Sequence, residues 1–211
     1  MGLDQDRKQT RFAVLPPLSL WQLPAVLIII SGIFELFGDS GRLWLQYDRV
    51  AILDAELWRL LTGHLVHLGL SHYILNAIAL ILVWVAVGEY FTNRQWLIVT
   101  VVSITGVNAG LWLFDPQLIW YVGMSGFLHG LLAAGMVKGF QFLPREAVLG
   151  GLVVLVKIVY EQTLGPFPGS EQSAGGSVVV DSHLYGALAG LGVAAVFWNS
   201  GKADQTKMEN Q

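Results

Sequence analysis

Six apolar stretches divide the chain. They run roughly from Leu20 to Phe37, Ser71 to Phe91, Trp96 to Phe114, Val122 to Phe140, Ala147 to Leu164 and Ser182 to Trp198. A helix that crosses a bilayer needs about 17 to 25 such residues. The pattern therefore predicts an all-α membrane protein built as a six-transmembrane-helix bundle. No long polar insert interrupts it, so a single membrane domain is expected over residues 1–211, with polar tails at 1–15 and 201–211. The connection from Gly38 to Leu57 carries Leu43, Trp44, Leu45 and Tyr47, which suit the membrane interface. The connection from Gly165 to Val180 holds Pro166, Pro168, Gly169, Gly175 and Gly176, the composition of a mobile loop able to gate a buried site.

Composition agrees with an apolar solvent. Only 13% of the 211 residues are charged, 54% are hydrophobic, and the mean hydropathy is +0.57. Soluble domains usually carry about 25% charged residues. A net charge of −3 makes nucleic acid an unsuitable partner. With no cysteine, disulfides, thiolate metal sites and a cysteine nucleophile are excluded. The polar N-terminus, MGLDQDRKQTRF, is not followed by a small-residue cleavage site, so the first apolar segment is expected to act as an uncleaved anchor. Arg7, Lys8, Arg11, Arg94, Lys138, Arg145, Lys202 and Lys207 fall on one side of the expected membrane. Arg42, Arg49 and Arg59 fall on the other, among Asp39, Asp48, Asp54 and Glu56. That asymmetry predicts cytoplasmic N- and C-termini.

The candidate chemistry begins at GMSGFLHGLLAAG, Gly123 to Gly135. Gly126, Gly130 and Gly135 leave the helix face near Ser125 nearly bare, which lets another helix approach closely. The sixth segment offers His183, with Gly186 and Gly190 along one side. Ser125 and His183 both fall near the outer ends of their segments, at similar depth. A neutral imidazole there can serve as the base that activates a serine, and an ionisable group inside a membrane marks a functional candidate. The alternative is a Ser-Gly packing motif without chemistry. Asp181 is two residues from His183 and does not share its helix face. A two-residue pair is therefore expected, with packing in place of a carboxylate to orient the imidazole.

A second constellation is WRLLTGHLVHLGLSHYILN, Trp58 to Asn76. His72 and Asn76 share a helix face and can donate to a developing oxyanion together with the Ser125 N–H. His67 lies about one turn outside them. The alternatives are a polar turn whose histidines are satisfied by backbone, and metal ligation by His64, His67 and His72. No carboxylate joins those three and no HExxH motif is present, so neither metal nor cofactor is expected. Lys157 and Glu161 are spaced for an ion pair along one helix, read here as structural pairing ahead of substrate contact.

The ordered set Trp58-Arg59, His67, His72, Asn76, Gly123-x-Ser125-Gly126 and His183-xx-Gly186-xxx-Gly190 resembles the rhomboid family of intramembrane serine proteases. The resemblance covers nearly the whole chain. It implies a six-helix rhomboid core, Ser125 as nucleophile, His183 as general base, and His72 and Asn76 with the Ser125 backbone as oxyanion site. Trp58-Arg59 matches a motif of the family's membrane-embedded first outer loop, and Glu89 a frequent acidic position. SGFLHG, KIVYEQ and HLYGALAG are similar to rhombosortases, a compact rhomboid branch of certain Gram-negative bacteria. That branch implies processing of surface proteins with C-terminal Gly-Gly-type transmembrane tails. His129 stands where many rhomboids carry tyrosine. It can pack on or hydrogen-bond to His183, act as a second candidate base, or only fill space.

The expected function is a serine endopeptidase in the inner membrane of a Gram-negative bacterium, with its active site facing the periplasm. Its partners would be the transmembrane tails of protein substrates and the membrane lipids, and a lipid amine in place of water would make the reaction a transfer. The alternatives are a general rhomboid protease with broader helix substrates and a non-catalytic helix-binding protein. A transporter is disfavoured by the lack of an inverted repeat or a broken-helix pair.

Overall fold

The computed structural model describes residues 15–199. The polar tails, with Arg7, Lys8, Arg11, Lys202 and Lys207, lie outside the described residues. The described residues form ten helices in order: α1 Gln22–Glu35, α2 Gly38–Leu45, α3 Arg49–Leu53, α4 Arg59–Thr62, α5 Leu70–Val87, α6 Asn93–Phe114, α7 Ser125–Gly139, α8 Pro144–Leu164, α9 Ser170–Ala174 and α10 Val180–Val196. Short 3₁₀ turns precede α1 and follow α5.

All six apolar segments form helices, but they are not six equal spans. Among the described residues three helices can cross a membrane by length and apolarity: α5 with its 3₁₀ turn, α6 and α8. A fourth is reached only by joining α1 to α2, which bend 119° apart. α10, at 17 residues, is apolar but shorter. α7 has 15 residues, about 22 Å at 1.5 Å per residue, less than the ~30 Å hydrocarbon thickness. Its length is explained by its place. Phe127, Leu128, Leu131, Ala133, Ala134 and Lys138 point in different directions around α7, and all are buried. A helix that is apolar all round belongs inside other protein, where it need not reach both membrane surfaces.

The bundle centres on the contact of α7 with α10. A Cβ at Gly186 would fall on the Gly126 carbonyl oxygen, and one at Gly190 on that of Gly130. The two backbones touch there without side chains between them. Around α7, Trp84 and Trp96 meet at 5.0 Å between ring centroids, within a core that includes Met124, Phe127 and Leu131. Lys138 is buried and its Nζ donates to the carbonyls of Phe197 and Trp198, just past the end of α10, where a cation meets orphan acceptors. α8 is the least enclosed of the three long apolar helices. Its Leu149, Leu152, Val153 and Val156 face outward.

The stretch expected as an interfacial loop is largely helical, and it departs from all-α in one place. Tyr47–Asp48 (β1) pairs antiparallel with Trp120–Tyr121 (β2), Tyr47 opposite Tyr121. Asp48 caps α3 by accepting from the Val50 and Ala51 N–H groups. The Arg49 guanidinium donates to the carbonyls of Leu111, Trp112, Asp115 and Leu118, closing the C-terminal end of α6. These contacts tie the segment before α5 to the end of α6 and to β2, which ends four residues before Ser125.

Candidate active site

The approach to Ser125 is a strand, a turn and a helix start. β2 ends at Tyr121, whose hydroxyl donates to the Gly123 carbonyl at 2.6 Å. Burial pushes the Tyr121 phenol up to about 12, so it remains a donor. The Gly123 N–H donates to the Gly63 carbonyl at 3.0 Å. Gly123 has φ +111°, a conformation that L side chains rarely adopt, and a Cβ there would meet the His72 ring at 2.8 Å. This one glycine both turns the chain and leaves room for His72. Ser125 is the first residue of α7, so its N–H has no partner within the helix.

Ser125 and His183 meet. Ser125 Oγ lies 2.9 Å from His183 Nε2. The Gly126, Gly130, Gly186 and Gly190 backbones set the spacing from which both side chains project. His183 is 4% exposed and Ser125 is half-buried.

The expectation of a pair oriented by packing alone does not hold. Glu161 Oε2, on α8, lies 2.8 Å from His183 Nδ1, and Glu161 Oε1 takes Lys157 Nζ at 2.6 Å. The carboxylate comes from a different helix, 22 residues earlier in the chain, so its partner could not be found by looking along the His183 helix. The expected Lys157–Glu161 ion pair is present, and it is also part of the site. A usable signal existed in the sequence: a carboxylate within an apolar helix is costly to keep there unless it has partners.

His129 stacks on His183, with ring centroids 4.2 Å apart and planes 21° from parallel. Its Nδ1 lies 2.7 Å from the Ser125 carbonyl oxygen. A carbonyl only accepts, so that nitrogen carries the proton and cannot take another. The position facing Ser125 Oγ belongs to His183, and His129 fills the space behind the imidazole.

His72 and Asn76 lie on the other side of Gly123. The Leu68 N–H donates to His72 Nδ1 at 3.3 Å, so Nε2 carries the ring proton, and this nitrogen is the one close to Gly123. Asn76 is buried. Its Nδ2 donates to the His72 carbonyl at 3.1 Å, which leaves its second hydrogen available. His67 is not at the reacting atoms. It meets the His72 ring edge-on at 5.1 Å and the Tyr73 ring at 5.7 Å, and neither of its nitrogens has a protein partner among the described residues. Burial pushes its imidazole down to about 3, so it packs as a neutral ring. Trp58 and Arg59 also act at a distance. Trp58 Nε1 donates to the Trp44 carbonyl, while Arg59 binds Glu56 at 2.6 Å and the Leu43 and Gln46 carbonyls, fixing the end of α2.

The three histidines considered as metal ligands do not converge. His64 Nε2 engages the Asn108 side chain at 3.1 Å. Among the described residues the one group with converging ligand atoms is His129, Glu161 and His183, within 4.8 Å of one another. It does not fit a metal centre. Lys157 Nζ already neutralises Glu161, and both His183 nitrogens are engaged.

A serine hydroxyl against a buried imidazole, with the His72 and Asn76 side-chain donors gathered at Gly123, can perform acyl transfer. The comparisons with known proteins point the same way. A family model for the rhomboid domain matches residues 54–200. The YdcA protein of Bacillus subtilis is 28% identical over 120 residues, 56% of this chain and 59% of that one. The rhomboid protease GlpG of Klebsiella pneumoniae subsp. pneumoniae is 24% identical over 182 residues, 82% and 61% of the two chains. The rhomboid protease GlpG of Salmonella paratyphi A is 21% identical over 183 residues, 83% and 62%. The chain thus spans about 60% of the length of these curated relatives.

Proposed function

Because the chain belongs to the rhomboid family of multi-pass membrane proteins, we propose that it is an intramembrane serine endopeptidase. Ser125 attacks the scissile carbonyl and His183 Nε2 takes its proton. The Ser125 N–H, His72 and Asn76 stabilise the oxyanion, and water releases the acyl-enzyme. The 2.9 Å contact between Ser125 Oγ and His183 Nε2 carries this reading. The substrate class that goes with this family is a transmembrane segment, met within the membrane.

Within that class the reading is narrower: C-terminal Gly-Gly-type tails, cut near the periplasmic face of a Gram-negative inner membrane. Its support is the likeness of SGFLHG, KIVYEQ and HLYGALAG to rhombosortases, the charge asymmetry of the loops, and a glycine-walled site that suits small residues beside the cut. Transfer of the acyl group to a lipid amine, in place of hydrolysis, fits the same chemistry. A general rhomboid protease with broader substrates is favoured instead by the relatives named GlpG. Co-expression with a Gly-Gly-tailed reporter tests the reading. The tail is expected to be lost with the wild type and retained with Ser125→Ala. Equal retention in both would refute the Gly-Gly reading. Equal cleavage of a reporter with a generic helix would favour the broader one.

A further inference from the structure

The contacts of His183 select its tautomer. Glu161 is 4% exposed, and an ionised carboxylate can only accept. Its Oε2 faces His183 Nδ1 at 2.8 Å, so that nitrogen carries the proton. Lys157 Nζ is 3.4 Å from the same nitrogen and competes poorly: the distance is longer, and a protonated Nδ1 has no lone pair to offer. Its ammonium goes instead to Glu161 Oε1 at 2.6 Å. His183 Nε2 is left with its lone pair toward Ser125, the form a general base needs. The stacked His129 ring limits tilting of the imidazole plane.

We propose that Glu161 is a positioning residue for the reaction, acting through His183, with Lys157 as the counter-charge that keeps its carboxylate ionised. The assignment rests on the protease reading above. As Ser125 Oγ bonds to the substrate carbonyl carbon, its proton passes to Nε2 and the carbonyl electron pair moves onto oxygen. When that intermediate collapses, the carbon–nitrogen bond breaks and the Nε2 proton goes to the leaving nitrogen. Water then repeats the cycle on the acyl-enzyme. Glu161 begins and ends each step as a carboxylate, and it stabilises the imidazolium present between the two proton transfers. Lys157 gains and loses nothing. It offsets the cost of placing a negative charge on an apolar helix, and its side chain is 33% exposed, enough for the ammonium to keep some solvation.

The test uses the full chain in proteoliposomes, a cleavable transmembrane substrate and a fluorophosphonate that labels the active serine. Glu161→Gln keeps the shape and removes the charge. It is expected to lower kcat about 100-fold or more, with KM within about threefold and labelling slowed in parallel. Glu161→Asp should recover part of the rate. Because Glu161→Gln leaves Lys157 unpaired, the double variant Lys157→Met with Glu161→Gln is made as well. It should fold and match the single variant in rate. Labelled wild type and unlabelled Ser125→Ala, with Glu161→Gln within threefold of wild type, would overturn the assignment alone. So would a loss of kcat accompanied by an equal loss of thermal stability in both variants, since that is a structural role. No labelling of the wild type would overturn the protease reading, and the assignment with it.

Discussion

Gly186→Ala probes the packing that brings the two reacting side chains together. Gly186 lies one turn after His183 on α10, against the Gly126 backbone one residue past Ser125 on α7. An added Cβ would overlap the Gly126 carbonyl oxygen and stand 2.7 Å from its carbonyl carbon, with Val107 Cγ2 at 3.4 Å. Carbon atoms in good contact sit about 3.5–4.0 Å apart, so the helices must part by about 1 Å. No flexible side chain can yield in their place, because the obstacle is backbone. The 2.9 Å distance between Ser125 Oγ and His183 Nε2 would then open to about 4 Å, beyond hydrogen-bond reach. A misplacement of this size costs on the order of 100-fold in rate, and overpacking of this kind costs about 1–3 kcal/mol of stability. The control lies on the same helix. At Gly192 an added Cβ meets nothing within 4 Å, so Gly192→Ala should leave cleavage unchanged. Cleavage rate, fluorophosphonate labelling and thermal midpoint are measured together. If Gly186→Ala cleaves within threefold of wild type, the backbone contact of α7 and α10 is not what holds the site, and the reasoning is wrong.

Two further outcomes follow from the geometry. His72→Ala and Asn76→Ala should each lower kcat by about 10²–10³ with little change in KM, because their donors engage the oxyanion more strongly than the ground-state carbonyl; a change confined to KM would place them in substrate binding. Burial also pushes His64 down to about 4, as it pushes His67 down to about 3. Both lie in the turn between α4 and α5, outside the long helices. Their folded values are below the unfolded value near 6.5, so the unfolded state binds more protons. Stability should be complete above pH 6.5 and fall as pH drops toward about 4 for His64 and about 3 for His67, by up to a few kcal/mol for each imidazole. Denaturant midpoints of His67→Gln against wild type read this directly, and the variant should lose less stability on acidification. A flat profile for the wild type would mean that these rings are hydrated in the folded protein.

Much of the architecture was legible from one dimension of information. Apolar runs must become helices in a medium that cannot satisfy free backbone groups, so the six helical segments and their order followed from local composition. The glycines beside Ser125 and His183 were equally readable, because a missing Cβ has the same consequence wherever the helix lands: a closer neighbour. Spacing along a helix also placed His72 with Asn76, and Lys157 with Glu161.

The tertiary structure decided matters that depend on which surfaces meet. Nothing local says that α7 is enclosed, and so can be short, whereas α8 stands at the edge with most of its surface outward. The two-residue strand pair joining Tyr47 to Tyr121 depends on contacts 74 residues apart. The third member of the site was hidden for the same reason. Glu161 and His183 lie on different helices, and their 2.8 Å contact exists only because α8 lies alongside α10 at that level. A chain written as a line records which side chains can react and which faces are bare; the direction from which a charge arrives is set by packing between helices.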